Sequence, residues 1–493
     1  MKRASKREQK KKRSPRVHAA LARARKRQKQ RGIALIMVLG AITILTVFLT
    51  ELQTDTTSAV AGALAERDRL KAEYYAKSAV NLSRMLLAAE KPIRTSIGPI
   101  LQLALGSAKA PQIPVWEFTD KVLGAFNGGD RVTAFGTSAG VDLTTAKNLG
   151  IPGNGYYDLV IIDEDSKINM NSAATMTPPV NLVPQLSTLF LQPQYLPLFE
   201  APDADQQQSD AAVLCSSLID WVDPDENLTN CAQMDKPASG SEDNIYQMLG
   251  LGYVRKNAPF DSLEEIRLVR GMDDDRWSTF IDPEPSDPHK RLVTVWGQVT
   301  DKPPVNVNTA PPQVLWAVVC SMATLDTPIC VDPLQAAAFL QVFNLVRSFG
   351  RGVPIFPSWK DFSNAVEGKG IVGQFLASLG VPPVTWDPQR GTRNLRKKLF
   401  KTESKIFSIY AEGVVPGTQR EARVRIHAVV DMRQATAWNQ QPQTDPNNPN
   451  GTVTPPPTPG VPQVDEETAP VDQEFVNELM TNPFGSMVYY RVD

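Results

Sequence analysis

Arg31-Gly32 followed by Ile33–Thr50 (IALIMVLGAITILTVFLT) is the stretch on which the architecture turns. Its 18 residues carry no charge and are bounded by Arg31 and Glu51, close to the shortest helix that crosses a bilayer. Residues 1–32 hold 15 Lys/Arg against one acid, Glu8, a surplus of +14, so the net charge of −1 leaves −15 on the remainder. Lys and Arg resist translocation, so the basic segment reads as the cytoplasmic flank of an apolar helix and the acidic bulk as lying beyond it. Two other readings compete. A basic arm of this kind also suits nucleic acid, and Ala59, Ala61 and Ala63 imitate a signal-peptide cleavage site, although they lie well past the apolar run.

Beyond Glu51 the chain has no proline as far as Ala89 and only Gly62 as a breaker, so the helix is expected to continue. Leu70, Tyr74, Leu82, Met85 and Leu86 then supply an apolar stripe near 3.6-residue spacing. Tyr156–Glu164 (YYDLVIIDE) is rich in aromatic and β-branched residues and reads as a strand. Lys405–Val415 and Arg420–Met432 flank Pro416, Gly417 and Thr418 and read as a β-hairpin. The fold class is therefore α+β, a long N-terminal helix packed on a small antiparallel sheet. The sheet is interrupted by a large, mainly α-helical insertion.

The expected divisions are 1–32, a basic leader; 33–50, the membrane half of the helix; 51–200, the first part of the sheet domain; and 201–394, the inserted helical domain. They continue with 395–433, the closing hairpin; 434–470, a Pro-rich linker whose composition cannot bury apolar surface; and 471–493, a terminal peptide that either docks elsewhere or folds back. Within the insertion, helices are expected at Ala211–Val222, Leu263–Val269, Pro312–Met322 and Pro333–Ser348. Phe260–Met272 and Val305–Val319 are locally similar to helix-hairpin-helix elements, with Asn308 or Thr309 as a helix cap.

Cys215 with Cys231, and Cys320 with Cys330, form two close pairs without CxxC spacing. Each either closes a short loop, contributing up to about 3 kcal/mol, or remains as buried thiols. His18, His289 and His427 are scattered, which disfavours zinc. The densest set of hard oxygen donors is Asp220, Asp223, Asp225, Glu226 and Asn227, followed by Glu242, Asp243 and Asn244. This composition suits Ca2+, which takes 6–8 oxygens in flexible geometry. It lacks the glycine and terminal Glu of an EF-hand, and a solvated acidic loop with Asp220 capping a turn is the plainer alternative. Asp163, Glu164 and Asp165 read as a turn with Lys167 and Asn169 rather than as catalytic carboxylates. The residue pattern offers no nucleophile-base pair and no phosphate-cradling loop, so no enzyme is expected.

The junction Arg31-Gly32-Ile33-Ala34-Leu35 resembles a prepilin peptidase site, in which a basic leader ends in Gly before the apolar helix. Blocks at Ala65–Asn81, Ile162–Asn171, Leu218–Asp225, Gly240–Tyr246, Phe260–Met272 and Val305–Leu315 resemble, in order, general secretion pathway protein K, the K-type minor pseudopilin of type II secretion systems. The resemblance covers residues 33 to 432 and leaves the Pro-rich tail and final peptide without a counterpart. It implies a pilin-like fold, cleavage between Gly32 and Ile33, and methylation at Ile33. Met37 stands at the fifth mature position, where ordinary pilins carry Glu. A subunit with nothing above it needs no buried carboxylate there to meet a neighbour's amine, since such a charge is costly when unpaired. The resemblance further implies a tip position and partners among the I-type and J-type minor pseudopilins. The major pseudopilin, the prepilin peptidase, the inner membrane and its assembly platform are implied with them. It also implies calcium in the acidic loop, with Asp223, Asp225, Asn227, Glu242 and Asp243 as ligands. A membrane-anchored DNA-binding protein is the alternative, but Asp273, Asp274 and Asp275 follow the first hairpin-like element directly, and no nucleic acid is expected as a partner.

Overall fold

Helix α1 runs from Pro15 to Leu105, past the expected end at Ala89 and through Pro92 and Pro99. It belongs to a computed structural model described for residues 15–105, 110–119, 123, 155–175, 179–202, 209–233, 242–250, 252–349, 354–417, 420–435 and 483–493. The leader before Pro15, Gly240, Thr418, the linker from 436 to 470 and the peptide from 471 to 482 lie outside the described residues. Residues up to Leu70 form one compact unit and those from Lys71 onward another.

In the first unit α1 is long and apolar enough to cross a membrane. The 18-residue window that qualifies has a mean hydropathy of 2.6, and none of it is buried. The hydroxyls of Thr43, Thr46 and Thr50 donate to the carbonyls of Gly40, Ile42 and Val47. The polar atoms of this stretch are thereby satisfied within the helix, as a hydrocarbon environment requires.

The second unit has two cores. One joins α1 to a sheet. Strands β1 (Tyr156–Asp163), β2 (Ile406–Val415), β3 (Ala422–Asp431) and β4 (Ser486–Val492) stand in that order, every neighbouring pair antiparallel. The helix residues buried with this sheet are Ala72, Tyr75, Ala76, Ala79, Val80, Leu86 and Leu87. The expected stripe holds in part: Leu86 is buried and Leu82 packs against this core, but Leu70 and Tyr74 are exposed, and Ala72, Ala76 and Ala79 face the sheet in their place. The reason lies in β2. A Cβ at Gly413 would collide with the Ala72 carbonyl oxygen and lie 2.8 Å from the Ala76 nitrogen, so helix and strand meet backbone to backbone.

Of the two readings of the terminal peptide, docking elsewhere or folding back, residues 486–492 take the second and form a strand. Residues 486–492 lie along β3, and the guanidinium of Arg84 in α1 donates to the carbonyls of Phe484 and Gly485. They cover Val429 and Val430, both fully buried.

The other core spans Ile168 to Phe400, so the insertion starts nearer 168 than the expected 201. It includes α2 (Leu182–Phe190), α3 (Ala211–Asp220), α4 (Asn244–Leu249), α5 (Pro312–Cys320) and α6 (Pro333–Phe349). The short helix expected at Leu263–Val269 is present as a 3-10 helix, Leu263–Leu268. The expected cap of α5 is also corrected. Asn308 accepts from the backbone of Ile355 and Phe356 instead, and Thr309 donates to Asp163.

The chain enters and leaves this insertion through a polar neck. The Asp163 carboxylate accepts from Thr309 and from Ser404, both at 2.5 Å, and Asp165 accepts from the amides of Lys405 and Ile406. Glu164 and Lys167 form a buried ion pair at 3.1 Å. The expected acidic turn is therefore the joint that ties the insertion to the sheet. Burial, with Asp165 adding repulsion, pushes the Asp163 carboxyl up to about 7.

Candidate metal centre

The acidic loop grows from the end of α3. Asp210 caps the helix by accepting from the Val213 amide at 2.8 Å, and a disulfide between Cys215 and Cys231, Cα–Cα 6.1 Å, ties the helix to the far side of the loop. Trp221 stacks on Phe260 with the rings 7° from parallel and anchors the start of the loop in the core. Asp220 accepts from the Thr229 amide at 2.9 Å, which folds the loop back. The Asp225 side chain accepts from the Asn227 amide at 2.6 Å, making a tight Asx turn. A second disulfide joins Cys320 to Cys330, Cα–Cα 5.6 Å, after α5.

Three carboxylates converge within this frame. One oxygen from each of Asp220, Asp223 and Glu242 lies within 4.8 Å of the other two, and all three residues are at most 4 % exposed. Neither oxygen of Asp223 meets a hydrogen-bond donor of another residue. Burial raises all three carboxyls, and the neighbouring acids add to it: Asp220 to about 7, Asp223 to about 8 and Glu242 to about 8. A buried carboxylate without donors is expensive, so the cluster calls for protons or a cation. Clustered carboxylates fit a hard divalent ion such as Ca2+.

The structure sorts the expected ligands. Asp223 and Glu242 are brought together. Asp225 stands close enough to raise both, with one oxygen committed to its own turn. Asn227 is exposed and contributes its amide to that turn rather than a side chain to the cluster. Asp243 is taken by the Arg255 guanidinium at 2.6 Å. Asp220, counted in the sequence among the clustered donors and in the plainer alternative as a turn cap, does both: it caps the loop and joins the cluster. The three-residue spacing of Asp220 and Asp223 at a helix end was the available signal. Arg255 has none in the local sequence.

The disulfide encloses Asp220, Asp223 and Asp225. Replacing Cys215 and Cys231 together by Ser is expected to cost about 3 kcal/mol, the worth of a loop of roughly 15 residues, read as a lower denaturant midpoint.

Among the described residues, one long apolar helix whose outer part packs on a four-stranded antiparallel sheet, broken by a helical insertion, defines a pilin-like fold. Residues 166–280 match the family described as type II secretion system (T2SS), protein K. The match covers the acidic loop and the first half of the insertion and bears out the resemblance read from the sequence. The chain is also similar to a chain in the GspK-GspI-GspJ complex of the enterotoxigenic Escherichia coli type 2 secretion system. That match has 14 % identity and a TM-score of 0.40, covering 75 % of this chain and 93 % of that one. No curated protein matches the chain significantly.

Proposed function

We propose that this minor pseudopilin caps the tip of a periplasmic type II secretion pseudopilus and assists its assembly for export of folded proteins across the outer membrane. The observation that carries the reading is the protein K match within an insertion on a pilin-like frame. The inserted core, from Ile168 to Phe400, is much larger than the sheet that bears it. Such bulk suits a subunit that ends a filament better than one that must be stacked upon. Met37 in place of the usual acid agrees with that position. The role is structural rather than catalytic.

In this reading the prepilin peptidase cuts between Gly32 and Ile33, Ile33 becomes the methylated N-terminus, and the basic leader stays on the cytoplasmic face of the inner membrane. The helix then joins I-type and J-type minor pseudopilins, with the major pseudopilin below and the assembly platform in the membrane. Calcium is held by Asp220, Asp223 and Glu242, with Asp225 beside them. When bound it neutralises the converged carboxylates. The protein supplies the rest: Thr229 orients Asp220, the disulfide holds the first arm of the site, and Trp221 excludes water beneath it.

The test is coexpression with the cognate prepilin peptidase, followed by mass and N-terminal analysis of the membrane-extracted product. A methylated chain starting at Ile33 is expected. An intact leader, or a start near residue 60, would sink the assignment.

A further inference from the structure

The two arms of the acidic centre come from different places in the sequence, 220–225 and 242–243, and something must hold them together before any ion arrives. We infer that Arg255 is that positioning residue, a clamp that sets Glu242 against the Asp223 loop; the inference rests on the calcium reading above. Its side chain is 5 % exposed, and its Nε faces the Glu242 carboxylate. Its Nη1 lies 2.6 Å from Asp243, and its Nη2 donates to the Asp225 carbonyl at 3.2 Å. One planar fork therefore grips both acids of the second arm and the backbone of the first, a task for which a lysine's single ammonium has the wrong shape.

The neighbouring residues reinforce the bracket. Asn257 adopts φ 50°, uncommon for a residue with a side chain, and its side-chain amide nitrogen lies 3.4 Å from the same Asp225 carbonyl. Lys256 points elsewhere, to Asp261 and Glu265. The segment 255–257 thus spends two side chains on one carbonyl of the metal loop.

Charge decides whether Arg255 competes with the cation or coexists with it. Five acids, Asp220, Asp223, Asp225, Glu242 and Asp243, face one guanidinium. With all five ionised, one positive charge leaves a strong negative surplus, and a divalent ion reduces that surplus without reversing it. The guanidinium pairs with Glu242 and Asp243, while Asp223, which has no donor on either oxygen, is left for the ion. Arg255 therefore works alongside the cation, ordering Glu242 in advance so that binding energy is not consumed in ordering it.

The test is calcium titration of the full-length, detergent-solubilised chain after chelation, with hydrogen exchange of residues 242–250 followed in chelator. Arg255→Gln is expected to weaken calcium binding by roughly 10- to 100-fold and to speed exchange at 242–250 while leaving 211–220 protected. At saturating calcium its melting temperature should return towards that of the wild type, which a general packing defect would not do. Arg255→Lys should recover little of the affinity, and Asp243→Asn, which removes one grip at a half-buried position, should weaken binding less than Arg255→Gln. Unchanged or tighter calcium binding by Arg255→Gln and Asp243→Asn, with Asp223→Asn binding none, would overturn the clamp and leave the metal site standing. A wild-type chain that binds no calcium, or an Asp223→Asn variant that binds it normally, would overturn the calcium reading and the clamp with it.

Discussion

Chelating calcium from the full-length chain is expected to lower its melting temperature by roughly 5–10 °C, and by more at pH 9 than at pH 6. At a hundredfold excess over Kd a ligand that binds only the folded state contributes about 2.7 kcal/mol, which for domains of this size is about 2–4 °C per kcal/mol. The pH dependence follows from the three raised carboxyls. In the metal-free protein Asp220, Asp223 and Glu242 stand at about 7, about 8 and about 8, well above an unfolded carboxyl near 4. The folded chain then binds more protons than the unfolded one between those values. Its metal-free stability is accordingly full below pH 4, and it falls as pH rises towards 8. The metal acts in the opposite sense. It must displace the same protons, so its affinity rises over the interval in which the empty site weakens. Thermal melts with calcium and with chelator, at pH 6 and pH 9, measure both. Asp223→Asn should flatten the difference, because a buried carboxylate with no donor on either oxygen has been replaced by a neutral amide. Equal calcium shifts at the two pH values would contradict the account.

Much of the frame was legible because it rests on signals carried by consecutive residues. Eighteen uncharged residues after Arg31-Gly32 specify the anchor, and the alternation in Lys405–Val415 and Arg420–Met432 specifies the hairpin. Two features were not fully legible, for a common reason of sequence distance. Strand β4 lies beyond a Pro-rich linker, and nothing local in SMVYYRV says which edge it will cover. Arg255 is likewise invisible from the acidic loop it braces, since its partners lie about 12–30 positions upstream. The buried face of α1 was legible only in part, for a different reason. Periodicity weights large apolar residues, whereas this contact is made by Ala72, Ala76 and Ala79, whose value is that they are small. Asn308 and Thr309 were assigned to a cap because short polar side chains before a helix usually cap it. Here tertiary partners, the 355–356 backbone and Asp163, outbid the local one.

Replacing Gly413 by alanine is expected to be among the most damaging single changes outside the acidic cluster. Glycine in the middle of a strand often marks a close approach of another backbone, and here the approach is that of α1. The added Cβ would strike the Ala72 carbonyl oxygen and lie 2.9 Å from the Ala72 carbonyl carbon. Neither is the end of a flexible side chain that can swing aside. Relief requires the helix to lift from the sheet, which opens the core shared by Tyr75, Ala76, Ala79, Ile409 and Ile426. Overpacking costs typically 1–3 kcal/mol, and a clash between two backbones belongs at the upper end, about 3 kcal/mol. At about 2–4 °C per kcal/mol that is roughly a 10 °C loss in melting temperature. Gly62 in the same helix is the control. A Cβ there meets nothing within 4 Å, and alanine in place of a helical glycine is worth roughly 0.5–1 kcal/mol in the stabilising direction. A Gly413→Ala chain that melts with the wild type would show that the helix does not seat against β2 at this depth. One that melts early but still binds calcium normally would place the damage in the helix-sheet core and leave the inserted domain intact, as two separate hydrophobic cores require.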